Sequence, residues 1–374
     1  MRFVHSADWQ IGMKAAHVGE MGSALRDERF EAARRVIKAA DDFGADLILL
    51  AGDTFEDNGV DRLNVQRVAD ILASFAGAVY LIPGNHDPLV PGSVWEHPSW
   101  SSHSNLHVLT EPAPVEIEGG FLYPCPVFEK HSGKDPTSWI DAGGAEGIKI
   151  GIAHGTVEGV DPDDRYYPIP LDAPARSGLD YLALGHWHSC TIFETGGAAR
   201  MAYSGTHETT SFGERDSGHV LLVEIAAPGE DPEVSREKTG SLDWLLLREQ
   251  VRENGDITRL REKIESIGDP EKTLLNLSVS GIIHMDEAPE LPRLQEIVEA
   301  RFFYGRIDSL ELHPLPGDAE LVESFPPGIM REAARRILEL SDPSYAGGRP
   351  EGATPEVASM AILELYAIAM EVGR

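Results

Sequence analysis

Five apolar, strand-like runs in the first half of the chain each end in residues that bind metals or handle phosphates. They are Val4-His5-Ser6-Ala7-Asp8-Trp9-Gln10, Leu50-Ala51-Gly52-Asp53, Ile82-Pro83-Gly84-Asn85-His86-Asp87, Ala153-His154-Gly155 and Leu184-Gly185-His186-Trp187-His188. Hydrolysis of a phosphate ester at neutral pH needs an activated water and relief of the charge that builds on the phosphoryl oxygens. Two divalent ions about 3.5–4 Å apart supply both. Such a centre calls for hard oxygen donors, imidazoles, a shared carboxylate and a proton donor for the leaving oxygen. Each segment alone is weak, since Gly-Asp is as often a turn as a ligand and a solitary His154 reads as a hydrogen-bonded structural histidine. The Pro-Gly turn that presents Asn85 and His86 together is more specific. Two imidazoles at i and i+2 in Gly185-His186-Trp187-His188 are stronger still, because on an extended loop they can face two neighbouring ions.

Elements able to position these residues are legible around them. Strands are expected at Arg2–His5, Asp46–Ala51, Ala78–Ile82, Leu106–Leu109, Lys149–Ala153, Tyr181–Leu184, Met201–Tyr203 and His219–Ile225. Helical spacing of Leu25, Phe30, Ala33, Val36, Ile37 and Ala40 marks Ala24–Phe43, and Leu63, Val65, Val68, Ile71, Leu72 and Phe75 mark Arg62–Phe75. The early strand–helix alternation predicts a mixed α/β sandwich. Ala226–Gly240 is polar and rich in Pro and Gly and reads as a linker or an exposed connection. A second unit follows in the order helix (Asp256–Ile267), strand (Thr273–Val279), helix (Glu290–Phe302), strand (Arg306–His313). Two further helices, Gly328–Leu340 and Pro355–Val372, carry more apolar side chains than an isolated pair could hide. They either fold back on the core or dock a partner protein. The resulting division is 1–228, 241–315 and 325–374.

The chain has 374 residues, long enough for one large core and a smaller domain. No run reaches the roughly 18 apolar residues that span a bilayer, and the amino terminus enters a strand directly, without the regions of a signal peptide. Cys125 and Cys190 lack metal or disulfide spacing. A soluble, cytoplasmic protein without membrane association is expected. With 62 acidic against 32 basic residues, the net charge of −30 argues against a broadly basic nucleic-acid surface. It reads equally as a solubility or saline adaptation. Bound divalent cations would reverse its sign locally and admit a phosphate.

The ordered motifs Asp8, Gly52-Asp53, Gly84-Asn85-His86-Asp87, His154-Gly155 and Gly185-His186-Trp187-His188 resemble those of calcineurin-like metallophosphoesterases. Within them His5-Ser6-Ala7-Asp8-Trp9, Ala51-Gly52-Asp53-Thr54-Phe55 and Tyr203-Ser204-Gly205-Thr206, with Ser211-Phe212-Gly213-Glu214, resemble the SbcD-like DNA-repair nucleases, bacterial relatives of the meiotic-recombination double-strand-break nuclease. The resemblance covers about the first 225 residues. It implies a four-layer α-β-β-α sandwich, with a small α/β capping domain and C-terminal helices. It places Asp8, Asp53 and His188 on one metal and makes Asp53 a bridge to a second, held also by Asn85, His154 and His186. His86 becomes the general acid, with Asp87 orienting its imidazole. The implied activity is a manganese-dependent exonuclease, with possible endonuclease action, that uses a metal-bridging hydroxide in DNA end processing; magnesium is the weaker substitute. Implied partners are DNA, an SbcC-like SMC-family ATPase bound through the C-terminal helices, and a second copy in a homodimer. The alternative is a phosphoesterase for a small nucleotide or phosphodiester, which the acidic charge favours. A non-enzymatic scaffold is raised only by Gln10.

Three positions depart from the resemblance. Gln10 stands where the family carries His, and a neutral amide oxygen should hold a transition metal less firmly than imidazole. Glu56 stands where many relatives have Asp or His. His207 follows Ser204-Gly205-Thr206 where relatives often carry Pro, and is either a phosphate contact or an exposed loop residue. Trp9 and Phe55 either wall the site or pack beneath it, or they stack on a base. Arg165-Tyr166-Tyr167 and His97–His103, with Trp95 and Trp100, are loop segments that could line a nucleic-acid groove.

Overall fold

The computed structural model describes residues 1–160, 166–195 and 197–372, so Arg165 lies outside the described residues. The chain divides into two units, Met1–Asp243 and Trp244–Arg374.

The first unit is built on two six-stranded sheets. One contains β1 (Arg2–Ser6), β2 (Leu47–Ala51), β3 (Ala78–Ile82), β4 (Leu106–Val108), β11 (His219–Glu224) and β12 (Glu233–Lys238), in the order β12-β11-β1-β2-β3-β4. The other contains β5 (Val115–Ile117), β6 (Gly120–Cys125), β7 (Ile148–His154), β8 (Tyr181–Gly185), β9 (Thr191–Thr195) and β10 (Ala198–Tyr203), in the order β5-β6-β7-β8-β10-β9. Strands β1 to β4 are mutually parallel, as are β6, β7, β8 and β10. Parallel strands align their carboxyl ends, and the loops leaving those ends carry the chemistry.

Both faces of β2 are buried, which is why it reads as an unbroken apolar run. Alternate residues split between two cores. Leu47, Leu49 and Ala51 join Phe3 and Ile82 against Ile148, Ile150, Ile152, Tyr181 and Ala183 of the opposing sheet. Ile48 and Leu50 face the helices α1 (Gly22–Phe43) and α2 (Arg62–Ala73), whose Phe30, Ala33, Val36, Val68, Ile71 and Leu72 cover the outer face. The far face of the second sheet is covered by connecting segments and by α4 (Ala173–Ser177), around Ile140, Val157, Ile169 and Leu179. A short helix α3 (Ser99–Ser102) precedes β4. The architecture is the expected mixed α/β sandwich, two sheets flanked by helices.

Two expectations are corrected here. The Ala226–Gly240 segment is not a free linker, since its Glu233–Lys238 portion pairs antiparallel with β11 as an edge strand. Alternating charges hide such a strand from a hydrophobicity reading and keep the exposed edge from recruiting another chain. Trp95 and Trp100 offer almost no face to a nucleic acid: they are about 5–6% exposed and pack on each other and edge-on to Phe55.

The second unit contains a three-stranded sheet of β13 (Asp243–Val251), β14 (Thr273–Ile283) and β15 (Tyr304–Pro314), with α5 (Asp256–Glu265) and α6 (Glu290–Arg301). Ile257, Leu260, Ile264, Leu294 and Val298 pack these helices on Leu275, Leu277 and Val279. Strand β13 is an element that the expected helix–strand–helix–strand order lacked. The last helices, α7 (Asp318–Glu323), α8 (Ile329–Ser341) and α9 (Pro355–Val372), share a core of Ile282, Leu321, Phe325, Ala334, Ile362 and Tyr366. They therefore fold onto their own unit, yet leave Ile329, Met330, Val357, Met360 and Ile368 exposed. Among the described residues no helix is long and apolar enough to cross a membrane.

Candidate metal centre

All five motif segments reach one place, at the carboxyl ends of β1, β2, β3, β7 and β8. The turn after β1 lies alongside the turn after β2: Asp8 N–H donates to the Gly52 carbonyl at 3.1 Å, and Gln10 N–H donates to that of Asp53 at 3.0 Å. Asp8, Gln10 and Asp53 hold left-handed φ of 55°, 46° and 51°, and His186 holds 107°. Non-glycine residues in this region cost free energy and concentrate at functional sites. Gly84 is required by crowding, because a Cβ there would collide with the Asp53 carboxylate and backbone nitrogen. Gly52, at φ +87°, would drive a Cβ into the His154 ring.

Four side chains from different strand ends meet directly. Asn85 Oδ1 lies 2.8 Å from His154 Nε2 and 2.9 Å from His186 Nδ1, and His154 Nε2 is 3.3 Å from Asp53 Oδ1. Donor atoms of Asp53, His154 and His186 all fall within 4.8 Å of one another, a group able to hold a metal ion. The other nitrogen of His154 donates to the Ala51 carbonyl at 2.8 Å, leaving Nε2 for the cluster. Asp53 also accepts the His86 backbone N–H at 2.8 Å.

Asp8 and His188 lie near enough to Asp53, and to each other, for their charges to interact. Both Asp8 oxygens accept the His186 backbone N–H at 3.0 Å. His188 Nδ1 is tied to Glu214 Oε1 at 2.9 Å and Thr210 Oγ1 at 3.1 Å, which leaves Nε2 as the potential ligand. Gln10 donates through Nε2 to Asp53 Oδ2 at 3.1 Å, while its buried Oε1 has no hydrogen-bond partner. Depriving a buried carbonyl of a partner costs about 1–3 kcal/mol, and a bound cation would supply one. A shallow depression lined by His186, Trp187, His188, Phe212 and Glu214 opens beside this corner.

The donor set fits hard divalent ions. Burial raises the Asp8 carboxyl to about 6, with the neighbouring Asp53 charge acting in the same direction against the pull of His154 and His188. For Asp53 burial also raises, but the His154 charge and hydrogen bond outweigh it and hold the carboxyl below the ordinary range. His154 shows the converse: burial lowers it, yet Asp53 and Asp8 bring it up to about 9. The proton so held on His154 sits among oxygen donors that a metal would take over, and metal binding should release it.

Several expected roles are revised by geometry. Asp87 does not orient the His86 imidazole. Its fully buried carboxylate accepts the backbone N–H groups of Phe55 (2.9 Å) and Gly84 (2.7 Å), so it braces two ligand loops against each other. The His86 ring is held by its own Nδ1 on the Glu56 carbonyl at 3.0 Å. Trp9, Phe55 and His207 are 0% exposed and cannot touch a substrate. His207 stacks on Trp9 at 4.7 Å and bonds the Arg29 carbonyl at 2.9 Å. For Trp9 and Phe55 this burial agrees with packing beneath the site, Phe55 lying edge-on to Trp95 and Trp100; for His207 neither expected role fits. Glu214 and Arg29 went without a role in the sequence; a buried carboxylate or guanidinium has no local signature.

A two-sheet sandwich that gathers aspartate, asparagine and histidine at the carboxyl ends of parallel strands defines a metal-dependent phosphoesterase. Residues 1–190 match the model of the calcineurin-like phosphoesterases, and the chain belongs to that family. It is similar to the uncharacterized metallophosphoesterase YhaO of Bacillus subtilis (strain 168), 26% identical over 325 residues that cover 80% of this chain and 77% of the relative. The crystal structure of TT1561 of Thermus thermophilus aligns with 64% of this chain and 98% of its own length, at 12% identity and a TM-score of 0.43.

Proposed function

We propose that this chain is a two-metal phosphodiesterase acting on a small nucleotide or phosphodiester. The observation that carries the reading is the convergence of Asp53, Asn85, His154 and His186 beside the unpartnered Gln10 oxygen. One ion would be held by Asp53, Asn85, His154 and His186, the other by Asp8, Gln10, Asp53 and His188, with manganese preferred. When bound, two such ions activate water and neutralise charge on the phosphoryl oxygens. His86 acts as general acid. The Glu56 carbonyl takes the Nδ1–H, so the ring would act as imidazolium, with the second proton, on Nε2, passing to the leaving oxygen as the P–O bond breaks. The net charge of −30 favours a small substrate, which needs no extended basic surface.

A second reading, a DNA end-processing nuclease working as a homodimer with an SMC-family ATPase, is favoured by the SbcD-like sequence around Asp8, Asp53 and Ser204–Glu214 and by the exposed Met360 and Ile368 on α9. The test is manganese-dependent turnover of bis-p-nitrophenyl phosphate and a dinucleotide, run beside end-labelled linear, hairpin and single-stranded DNA. Turnover of the small diesters without DNA cleavage supports the first reading. DNA cleavage with steeply salt-dependent binding supports the second. His86→Ala should abolish cleavage while manganese binding persists; loss of the metal would make His86 a ligand.

A further inference from the structure

Arg29 is 1% exposed, yet it forms no hydrogen-bonded ion pair among the described residues. Its guanidinium donates to three main-chain carbonyls: Nε and Nη2 to Trp9, Nε at 2.9 Å, and Nη1 to Glu208 at 2.9 Å and Thr209 at 3.3 Å. A buried cation is costly unless its hydrogen bonds are filled, so its partners indicate what it organises. The Trp9 carbonyl lies between Asp8 and Gln10, both in left-handed conformations. The Glu208 and Thr209 carbonyls immediately precede Thr210, whose hydroxyl bonds His188 Nδ1 and whose N–H donates to Glu214, the tether of His188. His207, just before them, returns a hydrogen bond to the Arg29 carbonyl and stacks on Trp9. Every segment gripped by Arg29 thus adjoins Asp8 and Gln10 or leads into the tethers of His188. None of these guanidinium bonds reaches Asn85, His154 or His186.

We propose that Arg29 is the positioning residue for one ion of the pair: by clamping the Trp9 carbonyl against those of Glu208 and Thr209, it holds Asp8 and Gln10 in register with His188. This rests on the two-ion reading. The planar fork is essential, because donors leave it in two directions and a lysine ammonium cannot reproduce them. Arg29 would therefore compensate for Gln10, a weak neutral ligand, by fixing where its oxygen lies.

The test is a manganese titration of the full-length chain, with free ion counted by electron paramagnetic resonance. His188→Ala identifies the binding step that belongs to this ion. Arg29→Lys, which keeps the charge, should weaken that step about 10- to 100-fold, the usual effect of losing an outer support. It should leave the other step within about twofold. Arg34→Ala, an exposed change on the same helix, should alter neither. Arg29→Ala with added guanidinium should regain the weakened step. Unchanged binding in Arg29→Lys overturns the proposal, as does equal weakening of both steps together with a lowered melting temperature, which would mark a merely structural residue. A wild-type chain that binds a single ion sinks the two-ion reading itself, and is recognised before any variant is measured.

Discussion

Replacing Asp87 separates bracing from catalysis. Its fully buried carboxylate is the acceptor for two backbone N–H groups, those of Phe55 and Gly84. Asp87→Ala leaves both donors without partners, at about 1–3 kcal/mol each, or about 2–6 kcal/mol together. The lower half of that range is expected: burial, then the nearby Asp53 charge, pushes the Asp87 carboxyl up to about 8, so near neutral pH it is largely protonated and a weaker acceptor than a charged carboxylate. At about 2–4 °C per kcal/mol for a unit of this size, the unfolding midpoint should fall by about 4–16 °C. The assay is thermal unfolding by circular dichroism on metal-free protein, with turnover of a small diester measured well below the midpoint. Asp87→Asn keeps one acceptor and should lose about half as much. An unchanged midpoint in Asp87→Ala together with abolished turnover would refute the bracing role and return Asp87 to the service of His86.

Other expectations are briefer. His5 is buried, and burial lowers its pKa to about 3 from 6.5, against the opposing Leu184 hydrogen bond. Between those values the unfolded chain binds a proton that the folded chain refuses. Its contribution is therefore present above about pH 6.5 and lost as the pH falls towards 3, at a limiting slope of about 1.4 kcal/mol per pH unit. His5→Gln should flatten the acid side of the stability profile, and an unaltered slope would exclude His5 as its source. Gln10→His should lower the manganese concentration needed for turnover, whereas no change would place Gln10 away from the metal. Glu214→Ala, which frees His188 Nδ1, should weaken manganese binding about 10- to 100-fold; unaltered affinity would show that Thr210 alone suffices. Met360→Asp with Ile368→Asp should change stability by no more than about 0.5 kcal/mol each, because both side chains are more than half exposed. The same pair should abolish binding to an SMC-family ATPase if α9 is its docking surface. Truncating the last helices would be a poorer test, since Phe325, Ala334, Ile362 and Tyr366 form the core there.

The sequence by itself determined the strand ends and what sits on them. Apolar runs of five or so residues closed by Asp, Asn or His are local signals, and β1, β2, β3, β7 and β8 appear where those runs fall. The helices α1, α2 and α9 are equally local, written in their apolar spacing. What the sequence could not settle was which polar atoms meet. Asp87 looked like a partner of His86 because it follows it, but its carboxylate turns to Phe55 and Gly84, and only the packing of two loops decides that. Trp9 and Phe55 left packing beneath the site and base stacking both open, and only the closed structure decides for burial, Phe55 against Trp95 and Trp100 and Trp9 against His207. Arg29 and Glu214 gained their roles from partners about 180 and 26 residues away. Periodicity and turn chemistry act over a few residues and so survive in a one-dimensional reading. Burial and hydrogen-bond pairing are set by segments far apart in the chain, and they exist only once the two sheets and α1 have closed around the centre.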